Sequence, residues 1–289
     1  MWQAAGIGID ARPMIFIGML ILIVVEGIWR TLGQHRNYDV KAAAASLGVA
    51  VGHTVFGMLN AALVSTVYLA LWDIAPLHFP VNDWRTWIVG FLAVEFAYYW
   101  FHRWSHTIRW LWASHAVHHS AEEFTLPAAM RLGWTSALSG GWLVFAPLVL
   151  LGWHPVIVAG LLAFNLPYQF LLHTEVVGRL GVLERVLNTP SHHRVHHASN
   201  PCYIDRNFGG VLVVFDRWFG TYAEELPQDP CRYGLVKPLH SYNPLRLALQ
   251  EWLSMLRDVS GSGSMKEALQ ILFAPPRDPS EAHGLGGSS

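Results

Sequence analysis

The sequence is short of charge. Asp, Glu, Lys and Arg make up 13% of its 289 residues, whereas soluble domains average roughly 25%. Hydrophobic residues account for 53%. A net charge of −1 provides no excess of positive charge to attract a nucleic acid, and two cysteines provide no disulfide framework. The composition therefore indicates a membrane-embedded protein with no nucleic-acid partner.

Several familiar motifs are also missing. The N-terminal segment has no basic region and no small-residue cleavage site before its first apolar run, so we expect an uncleaved membrane anchor. Gly6, Gly8 and Ala11 match a G-x-G-x-x-A pattern, but no strand can precede it, which excludes a dinucleotide-binding turn. There is no H-E-x-x-H motif and no haem-attachment or flavin motif. These absences argue against dinucleotide-dependent enzymes and zinc metallohydrolases.

What the sequence does contain is long apolar segments. Segments of this length cross a bilayer as helices, and we predict spans within 13–29, 42–72, 86–101, 134–151 and 155–172. The predicted fold is an all-α integral membrane protein with four to five transmembrane helices and a cytoplasmic helical cap. We assign residues 1–260 to this membrane-embedded domain, and 261–289 to a largely disordered C-terminal tail with one short amphipathic helix over 265–273.

The basic residues suggest an orientation. Arg30, Arg36 and Lys41 follow the first predicted span, which puts that loop on the cytoplasmic side. An even number of crossings then brings residue 102, and later residue 173, back to the same side. We therefore expect an integral protein of the bacterial inner membrane whose functional site faces the cytoplasm.

Histidines occur in three short motifs: HRWSH, HAVHH and HHRVHH. Residues three or four apart lie on one face of a helix, so each motif presents a cluster of imidazoles. A single structural zinc takes four ligands, which is too few for this set, whereas two ions would use it all. Imidazole suits iron, copper, nickel and zinc alike. The eight in-phase candidates are His102, His106, His115, His118, His119, His193, His196 and His197, and a ninth, His173, lies at the end of the last predicted span.

Three further residues are candidates for supporting these ligands. Glu95 lies seven residues before His102 on the same helical face, inside an apolar span, and is predicted to orient a ligand imidazole. His192 and Asp216 are assigned the same supporting role, and Asp216 is also placed to pair with Arg217.

The order and spacing of these motifs, across 95–222, resemble the fatty acid hydroxylase and sterol desaturase superfamily of membrane diiron oxygenases. The segments VHHSAEEFTLPAAMR and PSHHRVHHASNPCYIDRNFGGVLVVFDRWFGTY look especially like the branch that contains the alkylglycerol monooxygenases and many bacterial sterol-desaturase-like proteins. The resemblance implies two iron ions bound by the eight in-phase histidines, with His173 at an additional ligand position.

The expected function is hydroxylation of a lipid C–H bond with dioxygen. Because no cofactor motif for electron transfer is visible, we expect a ferredoxin- or cytochrome-type reductant as an external electron donor. Two alternatives stay open from the sequence. The same diiron site could serve a lipid or sterol desaturase, or the chain could be a membrane protein that binds zinc without redox chemistry.

Overall fold

The structure is a computed structural model that describes residues 12–276. This part of the chain is helical and contains no strand beyond two isolated β-bridges. Its α-helices are α1 (Arg12–Ile28, extended by a π-turn at Trp29–Gly33), α2 (Val40–Asp73), α3 (Trp84–Thr107), α4 (Arg109–His119), α5 (Ser136–Ser139), α6 (Ala146–Leu150), α7 (Pro155–Leu172), α8 (Pro190–His196), α9 (Val214–Phe219), α10 (Pro244–Ser260) and α11 (Met265–Phe273). Short 3₁₀ turns lie at Leu126–Met130, Gly141–Phe145 and Gly181–Arg185.

Three described helices are long and apolar enough to cross a membrane: Pro13–Gly33, Val40–Asp73 and Pro155–Leu172. They correspond to the first, second and last predicted spans, so the all-α membrane fold is confirmed. α3 covers the third predicted span and, at 24 residues, is about 36 Å long. It is not among the three, and it carries Arg85, Glu95 and Arg103 besides two of the clustered histidines.

The predicted span 134–151 is not one helix. It consists of α5, a 3₁₀ turn and α6, and the break falls at Gly140, whose φ of +74° is left-handed. The segment nevertheless runs alongside α2. The Trp134 indole packs so closely on Gly52 that a Cβ there would overlap the ring, and the Tyr68 hydroxyl donates to the Trp142 carbonyl at 2.6 Å. Irregular backbone is tolerated at membrane depth when it is covered by protein in this way.

The turns at one end of the bundle contact each other. The Phe79 amide donates to the Gly152 carbonyl at 2.8 Å, and the Trp153 indole donates to the Thr86 carbonyl at 3.1 Å. α3 and α7 start at this end and finish at the other, where α3 carries His106 and α7 is followed by His173. The clustered histidines therefore share one end of the bundle, as the sequence predicted.

The C-terminal helices cover α4. Trp252 and Met255 of α10 and Ile271 of α11 form a buried cluster with Ala113. α11 has the bounds predicted for the short amphipathic helix, and its packing extends the folded part beyond the boundary predicted at residue 260. The remaining tail, 277–289, lies outside the described residues.

Candidate metal centre

The nine predicted ligand histidines converge into two groups. In each group the ligand nitrogens lie within 4.8 Å of one another. We call them the five-histidine group and the four-histidine group. The first contains His102, His106, His115, His119 and His196, and the second contains His118, His173, His193 and His197. Within residues 12–276, no other group of three or more potential metal ligands converges so closely.

The distances within each group suit a shared ion. His115 Nε2 lies 3.0 Å from His102 Nε2 and 3.1 Å from His119 Nε2. In the four-histidine group, His173 Nε2 lies 3.1 Å from Nε2 of both His118 and His193. Neighbouring imidazole nitrogens bound to one ion at about 2.1 Å would be roughly 3.0–3.4 Å apart.

Helix geometry explains how one motif serves two groups. His118 of α4 belongs to the four-histidine group, whereas His115 and His119 belong to the other. α8 is divided in the same manner, since His196 turns away from His193 and His197. α4 and α8 therefore lie between the two groups and supply both, while α3 supplies only the five-histidine group.

Main-chain carbonyls fix several rings through Nδ1. His102 Nδ1 lies 2.8 Å from the Phe208 carbonyl, His196 Nδ1 lies 2.9 Å from that of Arg206, and His173 Nδ1 lies 2.7 Å from that of Gln169. A carbonyl only accepts, so these contacts assign the proton to Nδ1 and leave the Nε2 lone pair free for a metal. Sequence reasoning missed these partners because a carbonyl is present in every residue.

Two observations test whether the site fits metal ions. Among the described residues, His106 Nε2, His196 Nε2 and His197 Nε2 are buried and have no hydrogen-bond partner. Buried polar atoms are normally satisfied, so these nitrogens need another partner. Burial also lowers the pKa of His118, His119, His193, His196 and His197 well below the ordinary value, so the rings are neutral, as metal ligation requires.

Comparison with known proteins agrees with this geometry. Residues 87–221 match the family model described as Fatty acid hydroxylase, and this range contains all nine histidines. The chain carries a fatty acid hydroxylase domain.

Relatives extend the similarity beyond the matched range. Alkylglycerol monooxygenase of Danio rerio is 42% identical over 230 residues, covering 78% of this chain and 50% of the relative. Its Homo sapiens counterpart is 34% identical over 267 residues, covering 92% of this chain and 58% of the relative. Ornithine lipid hydroxylase OlsE of Rhizobium tropici is 31% identical over 135 residues, covering 47% and 41%. The chain thus spans only 50% to 58% of the first two relatives' length. No solved structure matches it.

Within this domain, Glu95 does not contact any of the clustered imidazoles, contrary to our expectation. Its carboxylate accepts hydrogen bonds from Asn165 Nδ2 at 2.6 Å and from the amides of Val211 and Leu212 at 2.7 and 2.9 Å. These bonds hold α3, α7 and the loop after Phe208 together. Glu95 therefore supports His102 through the loop rather than directly.

Asp216 acts on the same loop. Its carboxylate accepts from the amides of Phe208 and Gly209 at 2.7 and 2.8 Å, and from the Thr221 hydroxyl at 2.7 Å. Burial raises the pKa of Asp216 to about 6, against the effect of these hydrogen bonds. The predicted pair with Arg217 is wrong, because that guanidinium stacks over the Tyr222 ring, 3.7 Å from its centroid.

His192 lies outside both histidine groups. Its Nε2 is 3.4 Å from the Tyr222 hydroxyl, and its carbonyl accepts from Asn207 Nδ2 at 3.1 Å. A residue that the sequence did not single out, Asp205, is closer to the site, with Oδ1 3.4 Å from His106 Nδ1. Asp205 and Asn207 both have left-handed backbones, with φ of 59° and 55°, which is unusual for residues other than glycine.

Proposed function

We propose that this protein is a membrane-bound oxygenase that hydroxylates a C–H bond of a lipid with dioxygen, using two iron ions. The main support for this proposal is the division of nine histidines into a five-histidine and a four-histidine group at one end of an apolar helical bundle. The names of the relatives, a monooxygenase and a lipid hydroxylase, support the same reaction class.

Each group would hold one iron ion. Reduced by an external donor, the bound pair would supply an oxidant that takes one atom of dioxygen to the substrate and leaves the other as water. The residues of the chain keep the imidazoles neutral and hold three of the rings through the carbonyls of Phe208, Arg206 and Gln169.

Aromatic rings shield both groups from water. Phe124 stacks on His173 at 5.3 Å between ring centroids and also packs on His197. Phe208 packs against the rings of His106 and His196, at 5.2 and 5.9 Å. A reactive oxidant has to be kept away from bulk water, and these rings perform that role from both sides.

Glycerol ether lipids are the substrate class that we propose, because two relatives that match 78% and 92% of this chain are named alkylglycerol monooxygenases. The reductant would be a ferredoxin or a cytochrome. The proposed location is an inner bacterial membrane, with the histidine end of the bundle facing the cytoplasm. This orientation is proposed because the loop after the first span carries the basic residues Arg30, Arg36 and Lys41.

The decisive experiment combines anaerobic purification, metal analysis and Mössbauer spectroscopy with turnover under labelled dioxygen. Two irons per chain and a product carrying one labelled oxygen are expected. Label taken from water would refute oxygenase chemistry, and bound zinc without redox activity would favour the zinc-binding alternative. A product that has lost two hydrogens and gained no oxygen would reassign the protein as a desaturase.

Sidedness has a simple reporter, because Cys202 is exposed at the histidine end. In intact cells it should resist a membrane-impermeant thiol reagent and react after permeabilisation. In a Cys202→Ser, Cys231→Ser background, His78→Cys at the opposite end should react in intact cells. Labelling of Cys202 from outside would reverse the proposed orientation.

A further inference from the structure

A cleft separates the C-terminal half of α1 from the first turns of α2. Its volume is about 790 Å³, within the range of roughly 300–1,000 Å³ typical of small-molecule sites. The lining is mainly apolar and includes Ile23, Val24, Ile28, Val40, Ala43 and Leu47. Both walls belong to helices long and apolar enough to span a membrane. In a bilayer, this cleft would therefore open toward lipid.

The α1 wall of the cleft is connected to the four-histidine group through the segment 124–126. On the helical face of α1 next to the cleft, Glu26 accepts from the Leu126 amide at 2.7 Å and Arg30 donates to the Phe124 carbonyl at 3.4 Å. Glu26 also accepts from the hydroxyl of Thr174, the residue after His173. Since Phe124 itself stacks on His173, contacts run without a break from α1 through the segment 124–126 to the four-histidine group.

The end of the cleft near the basic loop is polar. The Tyr38 hydroxyl oxygen is shielded from solvent and has no hydrogen-bond partner among the described residues, although its ring lines the cleft. Arg36 also lines this end; its side chain is 56% exposed, and its guanidinium lies 3.3 Å from Glu175. An unsatisfied hydroxyl beside an exposed guanidinium suits the oxygens of a lipid headgroup.

We propose that this cleft binds a glycerol-based membrane lipid, with its hydrocarbon chain between α1 and α2 and its oxygens at Tyr38 and Arg36. The cleft is the lateral entrance by which the substrate approaches the four-histidine group, and this part rests on the proposed function. Phe124, held from α1 by Arg30, is then the barrier that the chain must displace.

The test uses a monoalkylglycerol probe with a diazirine in its chain, mixed at low fraction into phosphatidylcholine nanodiscs that hold the full chain. Photolabelled residues are mapped by mass spectrometry. We expect labels on cleft residues such as Val24 and Leu47, reduced by excess unlabelled monoalkylglycerol. Ala44→Trp fills the cleft from α2, and Ala62→Trp places the same ring on an exposed part of α2 outside it.

Ala44→Trp should lose most of the cleft labelling and raise the KM for the lipid several-fold with kcat retained, whereas Ala62→Trp should match the wild type. Tyr38→Phe should weaken competition by the unlabelled monoalkylglycerol. Equal metal content in all variants establishes that they are folded. Labels spread evenly over the outer faces of α1 and α2, unchanged by Ala44→Trp, would show boundary lipid only and overturn the proposal. Because labelling requires no turnover, cleft binding without oxygenated product would refute the proposed reaction and leave the binding site standing.

Discussion

Replacing Asp216 by alanine should loosen the metal centre without touching any ligand. The carboxylate holds the amides of Phe208 and Gly209 and the hydroxyl of Thr221, and the carbonyl of Phe208 fixes the His102 ring. Removing the Asp216 carboxylate leaves two backbone amides without their acceptor. It also frees the loop that presents the Phe208 carbonyl to His102. The effect should therefore reach the five-histidine group through one peptide unit.

The magnitude follows from two opposing contributions. Hydrogen bonds to a charged acceptor contribute about 1.5–3 kcal/mol each. Burial of the carboxylate opposes them, and because the Asp216 pKa is still raised to about 6, burial outweighs the hydrogen bonds for the charged form. What the alanine variant loses is the acceptor of two buried amides, at about 1–3 kcal/mol each. We therefore expect Asp216→Ala to lower the free energy of unfolding by about 2–4 kcal/mol. Metal affinity should fall by roughly 10- to 100-fold, as for other outer partners of ligand histidines.

Chelator competition measures the metal affinity, and thermal unfolding in detergent measures the stability. Asp216→Asn keeps one oxygen for the Phe208 amide and should lie between wild type and Asp216→Ala. The matched control is Asp83→Ala, which removes the cap bond to the Arg85 amide at the far end of α3. It should cost about 1 kcal/mol and leave metal affinity unchanged. If Asp216→Ala also left the affinity unchanged, the loop would not position His102.

Three further outcomes follow from the contacts. His173→Ala should reduce bound metal from two ions to one per chain, measured by elemental analysis, since the five-histidine group keeps its ligands. Gly52→Ala should destabilise the protein by about 1–3 kcal/mol in thermal unfolding, because its methyl group overlaps the Trp134 ring. Although burial opposes the effect, hydrogen bonding from Arg194 lowers the pKa of Glu225 below 4.5. The stabilisation that Glu225 provides should be complete above pH 4.5, its pKa in the unfolded chain, and should be lost as the pH falls through its lower pKa in the folded protein. The unfolding curves of the wild type and Glu225→Gln should therefore converge in acid.

The clustering of the histidines could be predicted because the relevant information is local. Spacings of three and four residues place His102 and His106, or His193 and His197, on one face of a helix whatever the rest of the fold does. The division into five and four was not predictable in this way. It depends on α4 and α8 lying between two sites, which is a property of packing and not of spacing.

Continuity of the fourth predicted span could not be read from hydropathy. The segment 134–151 is apolar throughout, and apolarity measures burial in lipid or protein without distinguishing a straight helix from a broken one. The informative residues were Gly140 and Gly141, at the break, and Pro147, in the first turn of α6. The role of Glu95 was misjudged for a similar reason, since its helical face was correct but the loop it binds arrives from more than a hundred residues away.

Three carboxylates lie near the histidines, and two of them, Glu26 and Asp216, are buried. Nine neutral imidazoles would bind two doubly charged ions without supplying any negative charge, and bound cations are the dominant local charges of such sites. Asp205 lies against His106 on one side, Glu26 binds Thr174 beside His173 on the other, and Asp216 lies one loop away from His102. A carboxylate inside an apolar bundle is costly on its own. Opposite charge nearby offsets that cost, so the ions that the histidines would hold would favour the charged forms of Glu26 and Asp216.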